Sequence, residues 1–140
     1  MKDSRRAEQA GRLDHIGVVV ADLPATCELM KELFGLQPTR TVEVDSKNLT
    51  AVFFDFGGVA IEFIELRDAS ARRQRLGDAG MARIEHIALR VEDLAAAVEN
   101  LRRAGVVMTD PAPVEAGGRR SHWTDPATSG GVMFQVCELL

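Results

Sequence analysis

The chain has 140 residues, 46% apolar and 27% charged, which suits one globular unit or two small halves that share a core. A formal charge of −4 argues against a nucleic-acid partner, because phosphate binding favours a concentrated positive field, but it leaves small anionic substrates open. No apolar run approaches the roughly 18 to 20 residues needed to cross a bilayer, so no membrane partner is expected, and Cys27 and Cys137 both sit in patterns of packed elements, which predicts reduced thiols in a cytoplasmic protein.

Residues 1–11 read as a flexible polar lead-in. From Leu13 to Val20 the run is β-rich, with Ile16, Val18 and Val20 on one face and His15, Gly17 and Val19 on the other. Asp22 then predicts a helix N-cap, Pro24 a first turn and Gly35 a stop, around an apolar stripe of Leu23, Cys27, Met30 and Phe34. Strands are predicted over 42–44 and 49–56 around the polar turn 45–48, and again over 59–66 after Gly57-Gly58. The first module, 12–67, is thus βαβββ.

Residues 68–82, with Arg72, Arg73, Arg75, Gly77 and Gly80, read as a short helix and linker. The second module, 83–140, repeats the order. A strand over 84–91 carries His86, Asp93 caps a helix striped by Leu94, Ala97, Val98 and Leu101, and Gly105 ends it. Strands are predicted over 106–108, 119–124 and 131–136, with Pro111, Pro113, Gly117 and Gly118 in turns. A shift of 71 positions superposes His15 on His86, Ile16 on Ile87, Val20 on Val91, Asp22 on Asp93, Leu23 on Leu94 and Glu28 on Glu99, the mark of an internal repeat.

The repeat selects four residues. His15 and His86 open the modules, and Glu62 and Gln135 lie on their last strands, 47 and 49 positions further on. A pseudo-twofold that closed the two sheets around one cavity would bring all four together. Two imidazoles, a carboxylate and an amide oxygen suit one divalent ion of the group Co, Mn, Ni, Zn or Fe, with positions left for water or substrate. Glu62 lies in the apolar run Val59-Ala60-Ile61-Glu62-Phe63-Ile64, where a carboxylate is costly to bury without a cation.

At these residues the sequence resembles the vicinal oxygen chelate (glyoxalase and bleomycin-resistance) superfamily. The resemblance is nearest to its methylmalonyl-CoA epimerase branch, through Leu-Asp-His-Ile-Gly-Val-Val-Val at 13–20, Glu-His-Ile-Ala-Leu-Arg-Val-Glu-Asp-Leu at 85–94 and Ser-Gly-Gly-Val-Met-Phe-Gln-Val at 129–136. It implies an α+β fold of two tandem βαβββ modules in a cupped, mostly antiparallel sheet, His15, Glu62, His86 and Gln135 as metal ligands, and a homodimer. This chain carries Gln135 where the epimerases and glyoxalases usually carry Glu, and Ser46 where the epimerases typically carry a Glu acid/base. An amide takes no proton at ordinary pH.

The chemistry such a site suits is metal-stabilised enolisation of a small carbonyl substrate, an epimerisation or isomerisation of a 2-substituted acyl-CoA such as methylmalonyl-CoA. Glu62, Glu43 and Asp45 are the candidate acid/base residues, and Arg90 and His122 are candidate substrate-binding residues. The runner-up is an isomerase, epimerase or lyase of a specialised biosynthetic pathway on another carbonyl or sugar-like substrate, or a lyase of the glyoxalase I kind. A metal-free ligand-binding module is disfavoured by the ligand set, and a dioxygenase by Gln135 in place of a carboxylate.

Overall fold

A computed structural model describes residues 11–140; the predicted lead-in therefore lies, apart from Gly11, outside the described residues. Among these residues there are eight strands and three α-helices. In chain order they are β1 (Arg12–Val20), α1 (Leu23–Phe34), β2 (Arg40–Val44), β3 (Leu49–Asp55), β4 (Ala60–Leu66), α2 (Ala69–Leu76), β5 (Ala82–Arg90), α3 (Leu94–Arg103), β6 (Val114–Ala116), β7 (Arg119–Trp123) and β8 (Met133–Leu139). None of the helices is long and apolar enough to cross a membrane. The chain divides into two compact units, His15–Glu85 and His86–Leu140, the latter taking in the start of β1 up to Asp14.

In the unit His15–Glu85 the strand order is β2-β3-β4-β1, with β1 parallel to β4 and the other pairs antiparallel. Alternation gives this sheet two distinct faces. Val18, Val20, Val52, Phe54 and Phe63 turn to α1, whose Leu23, Cys27 and Met30 fill the stripe that the sequence predicts. Asp22 caps that helix by accepting from Ala25 N at 3.0 Å, and Gly35, at φ 65°, closes it by donating to Lys31 O at 2.9 Å. Val19, Leu49, Ala51, Phe53, Ala60 and Ile64 turn the other way, toward Leu76 of α2. Leu23 N also donates to Glu65 Oε1 of β4 at 3.3 Å.

The unit His86–Leu140 has the order β5-β8-β7-β6, with β5 parallel to β8. Asp93 accepts from Ala96 N at 3.0 Å to start α3. Leu94 and Val98 then pack with Val91 and Val136, burial worth roughly 1.5 to 3 kcal/mol for each large side chain. Leu94 N donates to Glu138 Oε2 of β8 at 3.0 Å, as Leu23 N does to Glu65. Each unit thus ties the start of its helix to a carboxylate of its last strand.

One predicted strand is displaced. Residues 106–108 form a single bridge, Met108 to Thr124, and β6 lies instead at Val114–Ala116. The physical cause is local. Val107 spends its N–H on Thr128 Oγ1 at 3.0 Å and its carbonyl on Asp125 N at 2.8 Å, while Pro111 and Pro113 have no N–H for a ladder. The chain pairs again only where Gly117 and Gly118, at φ 59° and 74°, make the two-residue turn that folds β6 onto β7.

Candidate functional site

In the unit His15–Glu85, the register sets His15 beside Ala60 and Gly17 beside Glu62 on the parallel pair β1 and β4, and Phe53 across from Glu62 on β3. His15, Glu62 and Phe53 therefore share the face away from α1. His15 is only 1% exposed. Its Nε2 lies 3.3 Å from Glu62 Oε1, and its ring meets Phe53 edge-on at 5.4 Å. Phe53 also carries the Arg40 guanidinium over its ring at 4.0 Å. A buried imidazole against a carboxylate, backed by an aromatic wall, is a ready pair of metal donors.

Glu43 and Asp45 belong elsewhere in the same unit. Glu43 stands across from Thr50, one position out of phase with Phe53 and Glu62, so alternation turns it to the opposite face. It accepts from Thr50 Oγ1 at 2.8 Å and pairs with Arg67. The hydroxyl of Thr50, then Arg67, hold its carboxyl below the usual carboxylate range. Asp45 pairs with the same Arg67 at 2.9 Å and is largely exposed. The two acids closest in sequence to an acid/base position are thus committed to a surface ion-pair cluster. The sequence reading relied on nearness along the chain, whereas strand phase decides the face.

In the unit His86–Leu140, His86 stands beside Met133, and Gln135 beside Ala88 on one side and Trp123 on the other. His86 and Gln135 therefore share a face of adjacent strands, and both are buried. The Gln135 amide nitrogen donates to Ser121 Oγ at 2.9 Å, which fixes the orientation of the amide. Arg90 and Cys137 form the next rung on this face. Arg90 is bound to Asp14 through Nε at 2.9 Å and Nη2 at 2.6 Å.

His122 is placed otherwise. It stands across from Val136, which packs under α3, so it faces away from Gln135. Its Nε2 meets Asp110 O at 2.7 Å. A partner along the strand from Trp123 cannot share Trp123's face, and His122 here braces the 110 loop. Sequence reasoning passed over Asp14, Arg119, Ser121 and Arg40. Ser121 and Arg119 were within reach, since they alternate with Trp123 on β7 and fall on Gln135's face once β7 and β8 pair.

With this geometry in hand, the comparisons identify the lineage. Residues 14–122 match the Glyoxalase/Bleomycin resistance protein/Dioxygenase superfamily, and the chain belongs to that family. It is similar to the mitochondrial methylmalonyl-CoA epimerase of Dictyostelium discoideum, 28% identical over 91% of this chain and 78% of that protein. It is also similar to the mouse mitochondrial methylmalonyl-CoA epimerase, 24% identical over 96% of this chain and 77% of that protein. Among solved structures, methylmalonyl-CoA epimerase from Mycobacterium tuberculosis superposes with a TM-score of 0.85 at 25% identity, covering 95% of this chain and 91% of that one.

Proposed function

We propose that the protein is a divalent-metal-dependent epimerase that inverts the 2-carbon of a 2-substituted acyl-CoA such as methylmalonyl-CoA by enolisation. The observation that carries this reading is the contact of buried His15 with the partly buried Glu62 at 3.3 Å. It places a carboxylate against an imidazole in a chain of this family whose relatives include methylmalonyl-CoA epimerases. In this reading His15 and Glu62 would be donors to the ion together with His86, and Gln135, the counterpart of Glu62 in the repeat, would add an amide oxygen. Two imidazoles, one carboxylate and one amide match the preferences of Co, Mn, Ni, Zn or Fe. When bound, the ion supplies Lewis-acid polarisation of a substrate carbonyl.

The residues of the chain supply the rest. Glu62 is the one carboxylate among the four repeat-matched positions, and with Glu43 on the far face and Asp45 exposed beside Arg67 it is the residue we assign to proton removal at the 2-carbon. Such a base contributes a factor of about 10² to 10⁴. The enolate is planar at that carbon, so a proton delivered from solvent to its other face would invert the centre, while Glu62 later gives up the proton it took. His15 and the wall of Phe53 hold Glu62 in place, and Ser121 orients Gln135. The protein acts, in this reading, as a homodimer in the cytoplasm, in keeping with the free thiols of Cys27 and Cys137.

The test joins metal and chemistry. Elemental analysis of the purified protein gives its metal content, and NMR follows deuterium uptake from heavy water at the 2-position of methylmalonyl-CoA with and without the ion. Exchange that stops on chelation and returns on reloading is the expected result. A fully loaded protein that exchanges no deuterium would move the activity to another carbonyl substrate.

A further inference from the structure

The alternation of β7 that turns Ser121 toward Gln135 also turns Arg119 the same way. Arg119 stands across from Leu139 and Ser121 across from Cys137, while Cys137 stands beside Arg90. One face of this unit therefore carries His86 and Gln135, then Arg90 with Cys137 one rung on, then Arg119 a further rung on. A rung of two residues spans about 7 Å. This is within the reach of an arginine side chain that leans along its strand.

The charges there do not balance. Arg90 contributes Nε and Nη2 to Asp14 Oδ1, and Arg119 contributes Nη2 to the same oxygen at 3.3 Å. Asp14 is almost fully buried, and the Arg119 side chain is 16% exposed. The Nε–H of Arg119 is buried with no hydrogen-bond partner. Cys137, beside the pair, donates its Sγ–H to Leu89 O at 3.7 Å and also meets the Arg119 side chain. Among the described residues, two guanidiniums thus face the Asp14 carboxylate, and one Arg119 donor has no oxygen acceptor. Burying a cation without full compensation is costly, and a guanidinium matches a carboxylate geometrically and electrically.

We infer that Arg119, assisted by Arg90, is a specificity-determining residue that receives the free carboxylate of a 2-carboxyacyl thioester. Asp14 is a positioning residue, which keeps both guanidiniums ordered and lowers their combined charge to that of one cation. This rests on the epimerase reading for the identity of the thioester, and it adds the reason that a diacid acyl group is chosen over a monoacid one. That carboxylate would give the Arg119 Nε–H the oxygen acceptor it lacks among the described residues.

The experiment compares methylmalonyl-CoA with propionyl-CoA, which differs by the loss of the carboxylate, as ligands of the metal-loaded protein by calorimetry. The wild type should prefer methylmalonyl-CoA, and Arg119→Met should lose about 10- to 100-fold for it while changing propionyl-CoA by less than about twofold. Arg119→Lys should recover part of the preference. An unchanged preference in Arg119→Met, or an equal loss for both thioesters, overturns the assignment. If the wild type binds neither thioester, the substrate reading fails by itself, and Arg119 is then judged with free malonate. A shift of its Nε–H resonance on titration of the wild-type protein upholds the carboxylate seat, and no shift overturns it.

Discussion

The two units build the same βαβββ plan and fill its matched positions differently. In one, a buried histidine meets a carboxylate, His15 with Glu62 at 3.3 Å. In the other, His86 shares its face with an amide, Gln135, which is held through Ser121. The first places a negative charge where the second places a neutral oxygen. The matched positions carry an ionisable group in one unit and a neutral, oriented amide in the other. That unit instead buries the carboxylate of Asp14, which pairs with two arginines.

The largest effect expected from disturbing this contrast is at Glu62. Glu62→Gln makes the two units alike, each with a histidine and an amide, and should cut deuterium exchange by at least about 10²-fold. Exchange at the wild-type rate would move the base elsewhere. Adding Gln135→Glu to that variant returns one carboxylate to the set on the other side. Metal content should recover, measured by elemental analysis, while exchange should remain well below wild type if the side of the substrate matters.

Ser121→Ala should act less severely. It frees the Gln135 amide to rotate, and a lost partner of this kind typically lowers metal affinity by about 10- to 100-fold. Competition with a fluorescent chelator would show it, and unchanged affinity would mean that Gln135 is not a ligand. Smaller again are the two helix ties. Glu65→Ala and Glu138→Ala each remove a carboxylate from a helix start and should each cost about 1 kcal/mol, read as nearly equal shifts in thermal melting. A large inequality would show that the two units do not use the tie in the same way.

The smallest effect concerns pH. Cys137 is held at about 11, above the ordinary thiol value near 8.5. The folded state therefore keeps its proton longer than the unfolded chain does, so its contribution is fully present below about 8.5 and is lost as pH rises toward 11. Cys137→Ala should flatten the decline of melting temperature over that window.

The duplicated motif was legible because it is local. A histidine on a strand, an aspartate cap and an apolar stripe recur within about fifteen residues of each other, and the structure caps both helices at Asp22 and Asp93. The phase of β4 and β8 likewise followed from alternation, which sets Glu62 and Gln135 by counting alone. What the sequence hid was pairing at long range. Asp14 meets arginines 76 and 105 positions away, and nothing near it in the chain announces them. Glu43 and Asp45 show a related limit, since both pair with Arg67, more than twenty positions on, a contact that their own stretch of sequence does not announce. The misplaced strand at 106–108 shows the same limit, because its apolar residues fit a strand while their backbone groups are taken by Thr128 and Asp125.

The paired ties of Leu23 N to Glu65 and Leu94 N to Glu138 act as a check on assembly. Each carboxylate sits three positions beyond its strand's proposed metal-binding residue, Glu62 or Gln135, and so on the opposite face. A slip of β4 or β8 by one residue would turn Glu62 or Gln135 into the helix layer and swing the carboxylate away from the helix start in the same movement. A slip by two would keep the face and still break the tie. The helix thus checks the registry of the strand, and a chain that folds with both ties made has the residues on the opposite face in phase.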